Sequence, residues 1–178
     1  MKKLTTAKNI FIYAVFALYI MLLIKMLIIS RMPIPGIDTS GGAERQINLI
    51  PFRSIIEFFS EGGRGAFFTN IIGNIGVFVP LGFYLPLFMK YKTFVPYALM
   101  VAAVSIVAEA VQGIFAIGSM DIDDVILNVM GGLVGIIGYK LLLRILGSKE
   151  RVSVLAAIIS ALGLPMLLYY LFYMNMRF

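Results

Sequence analysis

Five apolar runs, each close to the length that crosses a bilayer, leave this chain few folds to choose from. Inside hydrocarbon no water satisfies a backbone N–H or C=O, so a spanning segment must close its own hydrogen bonds. An α-helix of ~20 apolar residues does so across a core of about 30 Å. The runs fall at about 10–30, 69–89, 94–117, 122–146 and 152–174 of the 178 residues, with one long polar connection at 31–68. They predict an all-α, polytopic integral membrane bundle of five transmembrane helices, forming a single domain over 1–178.

The basic start MKKLTTAKN resembles the head of a signal peptide. The run from Ile10 to Ile29 is long, however, and no small-residue cleavage site follows it, so it reads as an uncleaved first span. Lys25, near its far end, is placed to extend toward the interface.

Charge separates the two sides of the predicted bundle. With the N-terminus in the cytoplasm, one side holds nine basic side chains, Lys2, Lys3, Lys8, Lys90, Lys92, Lys140, Arg144, Lys149 and Arg151, against Glu150 alone. The other side holds five arginines against seven acids. This bias is the positive-inside pattern of a multi-pass membrane protein, with the C-terminus outside. The same pattern explains the net charge of +6 without a nucleic-acid partner.

Cysteine and histidine are both absent, which excludes disulfides, thiol nucleophiles, histidine bases and the usual zinc sites. Any catalysis must rest on Asp, Glu, Ser, Tyr, Lys or Arg.

Within the connection, RMPIPGIDTSGGAERQ argues against regular structure. The character then changes. Phe52, Ile55, Ile56 and Phe59 recur at i, i+3, i+4 and i+7, while Arg53 and Glu57 form an i, i+4 pair on another face. The spacing predicts a short amphipathic helix on the outer face, lying on the membrane surface or dipping into it. Arg53 reads equally as a surface partner of Glu57 and as a ligand for an anion.

Polar chemistry gathers at the outer ends of spans two, three and four, in Asn70, Asn74, Glu109, Gln112, Asp121, Asp123, Asp124 and Asn128. Ala98, Ala102, Ser105, Glu109, Gln112 and Ala116 form one helical stripe; Asp121, Asp124, Asn128, Gly131, Gly135 and Gly138 form another. These read as facing seams, polar above and packed by small residues below, including the GxxxG of Gly131 and Gly135. Glu109 is the sharpest signal, because a carboxylate inside a span costs on the order of 3 kcal/mol unless paired or solvated. Helix association through Gln112 or Asn70 is the structural alternative for it. Asp121 or Asp123 also reads as a cap for the fourth span, and Asp123 lies off the stripe.

The motifs NLIPF at 48–52, NIIGNIGVFVPLGFYLP at 70–86, EAVQ at 109–112 and DIDDVILNVMGGLVG at 121–135 occur in an order that resembles the VanZ-like family of bacterial membrane proteins. The resemblance covers roughly 48–140. It implies a link to lowered susceptibility to teicoplanin, a lipid-tailed glycopeptide antibiotic, without alteration of the cell-wall peptide terminus. It brings no established reaction. Its patterned positions map onto Asn48, Pro51, Phe52, Asn70, Asn74, Pro80, Gly82, Glu109, Gln112, Asp121, Asp124, Asn128 and Gly131. The family pattern often places an arginine shortly before the aspartates, where this chain has Gly118-Ser119-Met120. If that arginine meets an anionic group in relatives, Arg53 or Arg64 must substitute here, or the ligand chemistry differs.

Three functions compete. The first is a non-enzymatic protein whose outer polar cup, lidded by 48–64, binds a membrane lipid, a lipid-linked cell-envelope molecule or a lipoglycopeptide, with no cofactor. Its ligand-binding candidates are Asn70, Asn74, Glu109, Gln112, Asp121, Asp124, Asn128 and Arg53. The second is a membrane-embedded enzyme acting on a lipid or cell-envelope substrate. There Glu109 is the candidate catalytic base, and Asp121, Asp123 and Asp124 are candidate ligands for a divalent cation such as Mg²⁺ or Ca²⁺. The third is a lipid transporter or flippase, against which stand the small size and the lack of an inverted repeat.

Overall fold

The computed structural model describes residues 2–28, 47–60, 64–115 and 120–172. Six helices carry nearly all of these: α1 (Lys2–Leu27), α2 (Arg53–Ser60), α3 (Arg64–Phe88), α4 (Val95–Phe115), α5 (Ile122–Leu146) and α6 (Lys149–Phe172). Five are long and apolar enough to cross a membrane, over Thr6–Leu27, Ile71–Phe88, Val95–Phe115, Ile122–Leu146 and Lys149–Tyr169. The all-α, five-span architecture with a short amphipathic helix is therefore the one the sequence predicts. The stretch 31–46, expected to lack regular structure, lies outside the described residues.

Two elements were not expected. β1 (Ile47–Asn48) and β2 (Met120–Asp121) form a two-residue parallel pair, Ile47 opposite Met120 and Asn48 opposite Asp121. Non-helical backbone near a membrane needs its polar groups satisfied within the protein, and this pairing does so for the chain on either side of two spans.

The chain resolves into two compact units, residues 1–30 with 140–178, and residues 31–139. In the first, α1 packs along α6. Ile12, Val15, Tyr19, Leu23 and Leu27 are buried at steps of three and four, and α6 offers Val152, Ser153, Ala156 and Ser160. Large side chains on one helix thus lie on small ones of the other. Lys8 Nζ pairs with Glu150 at the start of α6, and Lys25 Nζ donates to the carbonyl of Leu171 at its end, 2.8 Å away. Starts meet and ends meet, so the helices run parallel, as the first and fifth spans of an alternating chain must. Lys25 therefore reaches the carbonyl end of α6, where a cation is also favoured by the helix dipole.

In the second unit α5 is central and buries a wide face: Asp123, Asp124, Leu127, Asn128, Gly131, Gly132, Gly135, Ile136 and Tyr139. A Cβ on Gly131 would sit 2.1 Å from the backbone oxygen of Ile75, and one on Gly135 would sit 2.1 Å from that of Val79. Gly82 and Gly132 are as close, the Cβ of Gly82 falling 1.9 Å from the Gly132 oxygen. The glycine seam thus joins α5 to α3, where the sequence stripe suggested α4. Toward α4, Gly132 receives the side chain of Val101. Below Ser105 the buried line of α4 passes through Val101 and Tyr97, one position off the expected Ala102 and Ala98. A helix with neighbours on two sides divides its small residues between them, which periodicity alone does not show. The pairings also set direction, with α5 parallel to α3 and antiparallel to α4.

Candidate functional site

The polar site is built where α4 ends and α5 begins. Ser105, Glu109 and Gln112 project from one face of α4 and are at most 1% exposed, as are Asp123 and Asn128 of α5, with Asp124 at 8%. The two helices meet through Asn128 Nδ2, which donates to Ser105 Oγ at 3.0 Å, and through Glu109 Oε2, which accepts the backbone N–H of Asp121 at 3.0 Å. Glu109 faces the protein, as the cost of exposing a carboxylate to lipid requires. From α3, Asn74 Nδ2 donates to Asp124 Oδ1 at 2.6 Å. Six expected residues, Asn74, Glu109, Gln112, Asp121, Asp124 and Asn128, therefore lie at one end of the α3–α4–α5 group.

Asp121 is the cap of α5, its Oδ1 accepting the N–H of Asp123 at 2.9 Å, two residues on, in the geometry of an N-cap. The same carboxylate ties down the chain before α2. Asn48 Nδ2 donates to Oδ1 at 3.2 Å and Ser54 Oγ donates to Oδ2. Asn48 in turn folds its own loop, with its Oδ1 accepting the N–H of Ile50 at 3.2 Å and its Nδ2 donating to Ser54 Oγ at 2.9 Å.

Asp123 takes a role the sequence did not suggest. Its Oδ1 accepts the N–H of Phe52 and its Oδ2 accepts that of Ile55 at 3.3 Å. Phe52 sits at the N-cap position of α2 and Ile55 at its third residue, so a carboxylate from α5 supplies what a capping side chain of α2 itself would supply. Phe52 holds the left-handed conformation, with φ 66°. The expected stripe had counted it as the first helical residue, and it instead ends the loop.

The metal candidates diverge. Asp121 and Asp123 turn toward the 48–55 segment and Asp124 toward Asn74. Among the described residues no group of three or more Asp, Glu, His or Cys is placed to hold a metal ion. Arg53 stands apart from the cluster. Its Nε meets Glu57 Oε1 at 2.7 Å with both side chains more than half exposed, and that partner raises the guanidinium pKa. Asn70 lies on α3, its side chain outside the described part, as does that of Arg64.

Sequence reasoning missed Ser54 and underused Asn48. An Asn two residues before a Pro-containing turn was the available signal for the latter. The cluster also holds one unmet acceptor. Asn128 Oδ1 is the buried side-chain polar atom without a partner among the described residues.

The VanZ/LLP1 family model matches residues 16–144, a stretch that contains every residue of the cluster and the segment clipped onto it. Protein VanZ of Enterococcus faecium is 31% identical over 145 residues, covering 80% of this chain and 83% of that one. No solved structure matches. With its clipped segment and its buried acids inside the matched region, this multi-pass membrane chain belongs to the VanZ/LLP1 family.

Proposed function

We propose that this protein binds the polar head of an amphiphile at the polar end of α3, α4 and α5, makes or breaks no covalent bond, and thereby lowers susceptibility to teicoplanin-like lipoglycopeptides. The observation that carries the reading is the unmet acceptor of Asn128, on the same helical face as Asp124 and bonded to Ser105 one turn below Glu109. A buried acceptor without a donor costs about 1–3 kcal/mol, and a bound donor group would offset that cost. The family's link to a lipid-tailed antibiotic supports an amphiphile as the source. The charge bias of the loops supports an N-terminus in the cytoplasm and a site at the outer leaflet. Cation-assisted catalysis draws no comparable support, since it needs three aspartates to converge and each is engaged elsewhere.

The test compares Glu109→Gln, Asp124→Asn and Asn128→Ala variants, matched for membrane level, for teicoplanin susceptibility and for co-purifying lipid by mass spectrometry. Loss of both resistance and bound lipid is expected. Variants that retain both remove the cluster as the site. Orientation is checked in the cysteine-free chain by labelling single cysteines at position 92 and in the polar connection 31–46 with an impermeant maleimide. Labelling of position 92 in intact cells would reverse the orientation.

A further inference from the structure

We infer that residues 47–57 form a membrane-embedded strap whose outward apolar side chains face the acyl chains of one leaflet. The inference stands on placement and is independent of any ligand in the polar site. Three features of the structure carry it.

The strap is clipped to the start of α5 by side chains on its inner face. Asn48 and Ser54 bond Asp121, the N–H groups of Phe52 and Ile55 bond Asp123, and Ile47 and Asn48 pair with β2. On α2, Ser54 is the docking position. Ile56, two residues on, lies about 160° around the helix from it, at 100° per residue.

The outer face is apolar and, among the described residues, uncovered. Leu49, Ile50, Phe52 and Ile56 are 60%, 59%, 54% and 63% exposed. Turned to water, these side chains would form the kind of contiguous patch that marks an interaction surface.

What covers the patch follows from its depth. The strap is bonded at the level of Asp121, whose N–H is held by Glu109 of α4. From Glu109, α4 continues outward by six residues to Phe115, about 9 Å at the helical rise. At that far end Ile114 and Phe115 are still apolar and are 67% and 69% exposed, within a helix suited to crossing the membrane. The strap is therefore docked inside the apolar extent of its neighbouring span, and the medium around α4 is the medium around Leu49, Ile50, Phe52 and Ile56. A lipid leaflet is the occupant that this depth selects. Burial in lipid also keeps water from the aspartate–strap hydrogen bonds, which are stronger for being in a low dielectric.

The chain contains no tryptophan, so a single one reports without background. Ile50→Trp and Ile56→Trp, each in the full chain, are reconstituted in phosphatidylcholine vesicles carrying bromine either near the head or near the end of the acyl chain. Ile106→Trp, on the exposed middle of α4, is the deep reference, and Lys92→Trp, in the α3–α4 turn, is the aqueous one. The expected result is a blue-shifted emission from both strap positions, quenched more by shallow than by deep bromine, and little affected by iodide. Ile106→Trp should show the opposite bromine preference. Iodide quenching of the strap positions equal to that of Lys92→Trp would overturn the proposal. A blue-shifted emission that neither quencher reaches would do so as well, by placing protein, a second copy or another chain, over the strap. Leu49→Trp replaces either strap variant that fails to accumulate.

Discussion

Asp123 and Phe52, 71 residues apart in sequence, are joined by a hydrogen bond from the Phe52 backbone N–H to a carboxylate that also holds the N–H of Ile55. The first turn of one helix thus caps another. Removing a cap typically costs about 0.5–2 kcal/mol, and here Phe52 also keeps a left-handed conformation that costs a non-glycine residue roughly 1–2 kcal/mol. Asp123→Ala should free α2 from the start of α5. Hydrogen exchange of the amides at 52–57 should rise sharply while the α3–α5 core stays protected. Asp123→Asn keeps an acceptor oxygen and should fall between. Unchanged exchange in the alanine variant would mean that Asp121 and the pairing of β1 with β2 hold the strap without Asp123.

Gly131 and Gly135 are positions where α3 and α5 touch backbone to backbone. A methyl group at either would lie 2.1 Å from a carbonyl oxygen of α3, so the helices must part. Gly131→Ala and Gly135→Ala should each destabilise by about 1–3 kcal/mol, as overpacking does. At Gly138 nothing lies within 4 Å. There the usual helical gain of about 0.5–1 kcal/mol for alanine over glycine should appear instead. Thermal unfolding in detergent distinguishes the three, and equal effects would contradict the seam.

Ser105 and Asn128 form a buried polar pair between α4 and α5. Removing one partner strands the other, at about 1–3 kcal/mol, whereas replacing both by apolar groups of similar shape is close to neutral. Ser105→Ala should therefore be less stable than Ser105→Ala combined with Asn128→Leu. If the double variant is also deficient in resistance, the pair serves binding more than folding. Additive losses of stability would show that the two residues are uncoupled.

The ion pair of Lys8 and Glu150 joins α1 to α6 with the glutamate side chain 64% exposed. Exposed pairs contribute about 0–1 kcal/mol and are screened by salt. Glu150→Gln should lower stability by less than this ceiling in dilute buffer and by nothing measurable in high salt. A larger, salt-independent loss would mean that the pair lies in a less polar setting than its exposure indicates.

Much of the fold was legible because its causes are local. Hydropathy located the five spans, since a run of apolar residues must become a helix in lipid wherever its partners lie. The step pattern at 52–59 located α2, and the buried carboxylate of Glu109 marked the polar end by its cost alone. The grouping of Asn74, Glu109, Asp124 and Asn128 also followed, because alternating spans carry those positions to the same side.

Partner choice was not legible. The stripe of Asp121, Asp124, Asn128, Gly131 and Gly135 was continuous in the sequence, yet the structure turns Asn128 toward α4 and Gly131 and Gly135 toward α3. Asp123 read as a cap of its own helix or a cation ligand, and it caps another helix instead. The chain's composition and periodicity determined that it would cross the membrane five times and hold its buried acids at one end. Only the tertiary structure decided which helix each small residue admits and which backbone each aspartate holds. Those choices depend on shape and hydrogen-bond geometry between segments far apart in the chain, and a local pattern carries no record of them.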